Sequence, residues 1–250
     1  MKGIVILFLY LTTGIHAQTW TSVSAVPTAG RDDGLAFALH GYGYIVTGYL
    51  GSFAESNKLF QYDPNTNTWN EKAPFPGTPR QYSCVFTLGH KAYLLGGYSE
   101  SGQALKDTWA YDEFTNSWTQ LNDFPGKARW HATALSIQNQ GYVGMGTTAD
   151  STLADFWQYN ADLDSWTRIS DYPGGPNRSV LGFQLLNEGI FGEGFDVNPV
   201  TYSPSWFSYN PKTTLWTEIP PIPAGLRSYG TAISNDYQAL VCAGMDENST

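Results

Sequence analysis

Tyr111-Asp112-Glu113-Phe114-Thr115-Asn116-Ser117-Trp118-Thr119-Gln120-Leu121-Asn122-Asp123-Phe124-Pro125-Gly126-Lys127-Ala128-Arg129 decides the architecture, because its skeleton returns along the chain at nearly constant spacing. A tyrosine stands seven residues before a tryptophan at Tyr62/Trp69, Tyr111/Trp118, Tyr159/Trp166 and Tyr209/Trp216, with turn-forming Asp, Asn, Pro, Thr and Ser filling most of the gap. Pro27, Pro76, Pro125, Pro173 and Pro223 each follow a tryptophan by seven residues. Arg31, Arg80, Arg129, Arg178 and Arg227 then recur at intervals of 49. A period near fifty predicts a propeller or a solenoid.

Outward from this stretch, each arginine is followed by small or apolar residues, a short polar turn and a second apolar run, which predicts two strands and a hairpin. The second run ends at glycine: Gly48, Gly96-Gly97, Gly146, Gly194 and Gly244. A third strand shows alternating aromatics at Phe60/Tyr62, Trp109/Tyr111, Trp157/Tyr159 and Phe207/Tyr209, and the fourth opens at the repeat tryptophan. The unit is therefore a four-stranded antiparallel blade, with blades over about 31–72, 80–121, 129–169 and 178–219 and a partial fifth over 227–250.

Glycine closing strand two, Tyr-Asp closing strand three and tryptophan opening strand four resemble the kelch motif, whose repeats form all-β propellers. The Gly-Gly pair is intact only at Gly96-Gly97, and Asn160 and Asn210 replace the aspartate after tyrosine. WD-type repeats have a shorter period of about 40–45 residues. In kelch proteins that this chain resembles, an N-terminal fourth strand closes the ring, a role the resemblance gives to 18–26. Blade 5 has only six residues after Gly244, whereas earlier blades take 20 to 22 from that glycine to the tryptophan. This predicts a piece of a longer, six-bladed propeller.

Met1 to Ala17 combine one lysine with a short apolar run and small residues, which predicts a secretory signal peptide cleaved after about Ala17 and a secreted, periplasmic or cell-surface protein. The net charge of −9 argues against nucleic acid, whose phosphates demand Lys and Arg. No segment is apolar for long enough to insert in a membrane as a helix. With 42% hydrophobic and 15% aromatic residues, the chain can bury a core of packed sheets. Cys84 and Cys242 lie three repeats apart and are read as separate buried hydrophobes rather than disulfide partners. Asn177-Arg178-Ser179 and Asn248-Ser249-Thr250 match the glycosylation acceptor pattern.

Propeller geometry gathers the arginines at the start of the innermost strands, on one face beside the central channel. One reading makes Arg31, Arg80, Arg129, Arg178 and Arg227 a positive rim for an anionic ligand. The other makes them architecture, and strict periodicity favours it. What breaks the period is the pair after each arginine, which places Tyr82, Trp130, His131 and Tyr229 among the ligand candidates, since aromatic rings stack on sugars or peptide side chains. Asp107 and Asp155, at the start of strand three, resemble the structural turn aspartates of the family. His40 and His90 sit at hairpin tips on the opposite face and are read as solvated turn residues.

Among kelch enzymes, a galactose oxidase-like copper site needs two His and two Tyr on one face, and only His131 of the three mature histidines is on the arginine face. The sequence therefore predicts no metal and no cofactor. A sialate mutarotase or epimerase resemblance implies an acidic sugar substrate, with His131, Asp32 or Asp33 as acid/base candidates. The reading favoured by the sequence is an exported module that binds a carbohydrate or a protein through the channel-face loops. The alternatives are that sugar enzyme and a structural repeat domain of a larger cell-surface protein.

Overall fold

A computed structural model describes residues 21–28, 30–50, 54–197, 200–222, 227–235, 237–242 and 244–246, without the side chains of Arg227 and Asp246. The segment read as a signal peptide, Trp20 and Asn248 lie outside the described residues.

Blade 1 pairs Leu35–Leu39, Tyr42–Val46, Leu59–Asp63 and Thr68–Lys72 in that order, all antiparallel. Blades 2, 3 and 4 repeat the meander from Cys84–Leu88 to Ser117–Gln120, from Thr133–Ile137 to Ser165–Ile169, and from Leu181–Leu185 to Leu215–Ile219. Among the described residues the fifth unit is the two-stranded sheet of Thr231–Ser234 and Ala239–Cys242. The five first strands pack one against the next in chain order, which makes them the inner wall. Fourth strands are outermost, and in each the tryptophan is the half-buried centre between exposed neighbours, as in Thr68–Lys72 and Leu215–Ile219.

Second strands such as Lys91–Leu95 are buried on both sides after their first residue, because adjacent blades cover both faces of the sheet. The core therefore lies between blades, in clusters such as Leu39, Tyr44, Phe75, Leu94 and Tyr111. Polar staples cross the same seams. Asn67 Oδ1 accepts from the Tyr62 hydroxyl at 2.9 Å and from the Ser24 amide at 2.8 Å. Asn116 does the same for Tyr111 at 2.9 Å and Ala73 at 3.0 Å, and Asp164 for Tyr159 at 2.8 Å and Asn122 at 2.9 Å. The tryptophan next door reaches across too, Trp69 to the Ser24 carbonyl at 2.8 Å and Trp118 to the Ala73 carbonyl at 3.0 Å.

Residues 21–26 form no strand, a departure from the expected closing strand. Among the described residues no third strand stands beside them to pair with. Ser24 nevertheless holds the place that Ala73 and Asn122 hold for later blades. Both cysteines are free, but only Cys84 is buried; Cys242 is exposed, because no further blade covers its strand among the described residues.

One glycine per blade fixes the register. Gly48, Gly97, Gly146, Gly194 and Gly244 have φ of 94, 108, 90, 84 and 89°. A Cβ there would lie 2.7 to 2.9 Å from the carbonyl oxygen of Asp32, Gln81, Trp130, Arg178 and Ser228 respectively. No side chain fits that approach. The position before it is also left-handed, yet Thr47, Met145 and Glu193 occupy it beside Gly96. That is why only the second glycine of the pair recurs.

Candidate functional site

The glycine contacts make Asp32, Gln81, Trp130, Arg178 and Ser228 equivalent positions. Arg178 is thus one residue out of step with Arg80 and Arg129, although the count from Arg129 is 49. The architectural place in blade 4 belongs to Asn177: Gly146 N donates to its carbonyl at 2.8 Å, as Gly48 and Gly97 donate to those of Arg80 and Arg129 at 2.9 and 2.8 Å.

Arg80 and Arg129 are fully buried in the blades, which corrects the rim reading for both. Arg80 grips Asp107 through two bonds of 2.6 and 2.7 Å, donates to the Gly96 and Thr78 carbonyls and lies 4.9 Å over Phe75. Arg129 repeats this on Asp155 at 2.7 and 2.6 Å, on Met145 and Lys127, and 4.7 Å over Phe124. Trp109 and Trp157 donate their indole N–H to the same carboxylates. Burial alone would raise the pKa of Asp107 and Asp155; the guanidinium grip outweighs it and holds both below the ordinary value. With every strong donor direction committed inward, these groups are closed to a ligand.

Arg31 keeps the position but meets Lys58 where the others meet aspartate, so it settles for the Lys58 carbonyl at 3.2 Å and the Ser56 hydroxyl at 3.1 Å. The Arg227 side chain lies outside the described residues. Arg178 is half-buried, lies 4.5 Å over the Phe195 ring and donates to the Tyr229 hydroxyl at 3.3 Å. Its Nε is buried without an acceptor, and no carboxylate pairs with it among the described residues.

The residues after the register positions form a belt on the inner wall. Asp33, Tyr82, His131, Ser179 and Tyr229 share left-handed φ of 54, 57, 53, 54 and 57°. Tyr82 N donates to the Asp33 carbonyl at 3.4 Å, His131 N to Tyr82 at 3.0 Å and Ser179 N to His131 at 3.1 Å. The backbone belt is architecture; the side chains it displays vary from blade to blade, with tyrosine in blades 2 and 5 and Asp, His and Ser in the others. Tyr82 and His131 rings are 4.1 Å apart, and Tyr229 meets His131 edge-on at 5.5 Å. The Tyr82 hydroxyl also lies beside the Asp33 carboxylate.

The belt is electrostatically asymmetric. Burial, with the positive charge of Arg178 behind it, lowers the His131 pKa to about 3, so the imidazole is neutral at physiological pH. Burial raises Asp33, against the opposing Tyr82 hydroxyl, and burial together with Asp33 raises Tyr82. A fixed cation, a neutral imidazole and two phenols therefore face one another. Such a set can hold a carboxylate and stack on a flat apolar face. Among the described residues no three His, Cys, Asp or Glu side chains converge on a metal-binding group.

Of the remaining candidates, Trp130 packs on Tyr98 at 4.8 Å, beside the belt rather than in it. Sequence reasoning missed Asp33 as the Tyr82 partner, Phe195 beneath Arg178, and Tyr98. Asn177, read as a glycosylation acceptor, is 3% exposed with its amide N–H bonded to Gly174. That closes it to glycosylation in the folded chain. On the opposite face His40 and His90 are more than solvated turn residues: they flank the Phe114 ring at 5.5 and 4.7 Å, while His40 pairs with Glu113 and His90 with Asp112.

The antiparallel four-stranded blades, packed side by side with their first strands along the inner wall, define a β-propeller. A family model for the KLHDC2/KLHL20/DRC7 kelch-repeats domain matches residues 7–191, and the chain belongs to this kelch-repeat family. The solved structure of YjhT superposes with a TM-score of 0.79 over 92% of this chain and 82% of that one, at 15% identity, a likeness of fold. None of the curated proteins compared with the chain matches it.

Proposed function

We propose that the protein is a binding module, exported by the segment at 1–17, that takes a carbohydrate bearing a carboxylate at the inner mouth. The observation that carries this reading is Arg178: displaced from the buried arginine position, without a carboxylate partner among the described residues, and set against the aromatic belt. Guanidinium suits a carboxylate, and Tyr82, His131 and Tyr229 offer the stacking faces. Titration calorimetry against glucuronate, sialate and their neutral counterparts tests it. Acidic sugars should bind, neutral ones much less, and Arg178→Ala should remove the difference; equal binding of both classes would sink the reading. N-terminal sequencing of the exported protein should begin at Gln18.

A second reading, a sugar mutarotase or epimerase of the sialate type, draws on Asp33 in the same belt, whose carboxyl is raised by burial and so is a better proton acceptor than the depressed His131 imidazole. Anomer exchange of sialate followed by NMR separates the two: acceleration lost in Asp33→Asn favours the enzyme, and unaltered exchange with retained binding favours the module.

A further inference from the structure

Among the described residues Trp130 is the one tryptophan that neither donates its indole N–H to a protein acceptor nor packs in a core cluster; Trp166 and Trp206 lack the acceptor but pack in clusters. Trp69, Trp109, Trp118, Trp157 and Trp216 each commit the indole N–H to a protein acceptor. The indole N–H of Trp130 meets no acceptor among the described residues, and neither its ring nor that of Tyr98 joins a core cluster. Both rings are half-buried and packed on each other at 4.8 Å with a 52° tilt. Their backbones are pinned. Trp130 exchanges both backbone hydrogen bonds with Thr147 at 3.0 and 2.9 Å, and Tyr98 pairs with Gln81 across a short antiparallel ladder. This is a rigid, amphipathic pair of angled rings, each with an apolar face and a polar donor at its edge, the form that matches a sugar ring with its apolar C–H face and hydroxyl rim.

Its place matters as much as its chemistry. Trp130 and Arg178 hold the same repeat position in adjacent blades, and His131, the residue after Trp130, accepts the Ser179 amide at its carbonyl. The platform therefore borders the belt on the blade 3 side, and the guanidinium borders it on the blade 4 side. We infer that Trp130 and Tyr98 form a second subsite, which takes the neutral sugar unit joined to the acidic unit held at Arg178, so that the ligand is an acidic oligosaccharide rather than a free acidic sugar. This inference rests on the carbohydrate reading proposed above.

The test is an array of neutral, uronate-bearing, sialylated and sulfated mono- and oligosaccharides, probed with the full chain and its variants and followed by calorimetry on the best binders. Acidic oligosaccharides should bind about tenfold more tightly than the acidic monosaccharide that terminates them. Trp130→Ala should erase that advantage and leave the monosaccharide affinity within about twofold, whereas Trp130→Phe, which keeps a flat ring, should retain most of it. Unchanged melting temperatures establish that the variants are folded, and Tyr98→Ala serves if Trp130→Ala is not. An oligosaccharide advantage indifferent to both alanine variants overturns the second subsite and leaves the Arg178 reading standing. Equal loss of monosaccharide and oligosaccharide in folded Trp130→Ala also overturns it. Indifference of acidic-glycan binding to Arg178→Ala, or binding of carboxylate-bearing peptides alone, overturns the carbohydrate reading and this inference with it.

Discussion

Arg129 and Arg178 carry the same guanidinium into opposite circumstances, and variants should separate them. Removing Arg129 strands the Asp155 carboxylate and leaves the Met145 and Lys127 carbonyls without their donor, in a site where Arg129 itself is 1% exposed. Breaking a buried pair from one side costs about 3–5 kcal/mol. We expect Arg129→Ala to lose stability on that scale in urea unfolding, while half-buried Arg178→Ala costs under about 1 kcal/mol and acts on ligand binding instead. His131 supplies a pH signature at the same scale. Its folded pKa is depressed from 6.5 to about 3, so below about 6.5 the unfolded chain takes up a proton that the native state refuses. Its contribution is therefore full above 6.5 and is lost as pH falls from there towards 3. The fall in melting temperature between pH 7 and about 4.5 should be shallower in His131→Gln than in the parent. Parallel curves would mean that the imidazole is not shielded.

At the scale of the element, the staple between blades is a two-residue device: a left-handed Asn or Asp two places before the tryptophan, bonded both to its own tyrosine and to the preceding blade. Asn116→Ala should cost about 1–3 kcal/mol, because two donors lose one acceptor. Blade 4 puts Thr214 there, at φ 57°, where its hydroxyl bonds only the Thr213 carbonyl. A β-branched residue is strained in that conformation, and asparagine is favoured. Thr214→Asn should raise the denaturation midpoint at constant m-value, by about 1 kcal/mol. No gain would show that the seam between blades 3 and 4 is satisfied without the staple. The blades were legible because their strands carry period-two aromatics and their turns carry Asp, Asn and Pro. The staple was present in Asn67, Asn116 and Asp164 but hidden, since an Asn in a turn reads the same whether or not it reaches another blade. The arginine register was hidden differently. Successive repeat tryptophans from Trp69 are 49, 48 and 50 apart, so blade 3 is one residue short, and an arginine 49 residues after Arg129 arrives one position late. The equal arginine intervals concealed what the tryptophan intervals disclose, and among the repeat arginines with described side chains the one set against the aromatic belt is the one out of step. Tyr98 carried no signal, because only the fold brings a loop tyrosine onto Trp130.

Across the whole molecule, stability is distributed in units that each lean on their neighbours, as repeat architectures do. Blade 3 is covered on both sides, and Thr133–Ile137 alternates buried and half-buried residues against adjacent inner strands. Among the described residues the fifth sheet has two strands and exposes Ile233 and Leu240, with Ala232 and Val241 resting on the cluster around Leu181 and Trp206. A two-stranded hairpin packed on one face is marginal. Native-state hydrogen exchange should therefore show the amides of 231–242 opening at far lower free energy than those of 133–144. This gradient bears on binding, because Tyr229, which precedes that sheet, completes the belt against His131 and Arg178. A ligand seated on Tyr82, His131 and Arg178 would tie the fifth unit to blades 2 to 4, and protection of 231–242 should rise with saturation by RT ln(1 + [L]/Kd) until it meets the next opening unit. Amides of blade 1 that touch no belt residue should gain nothing until global unfolding limits them. Uniform protection across blades 3 and 5 without ligand would refute the gradient. A bound acidic glycan that left 231–242 unchanged would put its site away from Tyr229.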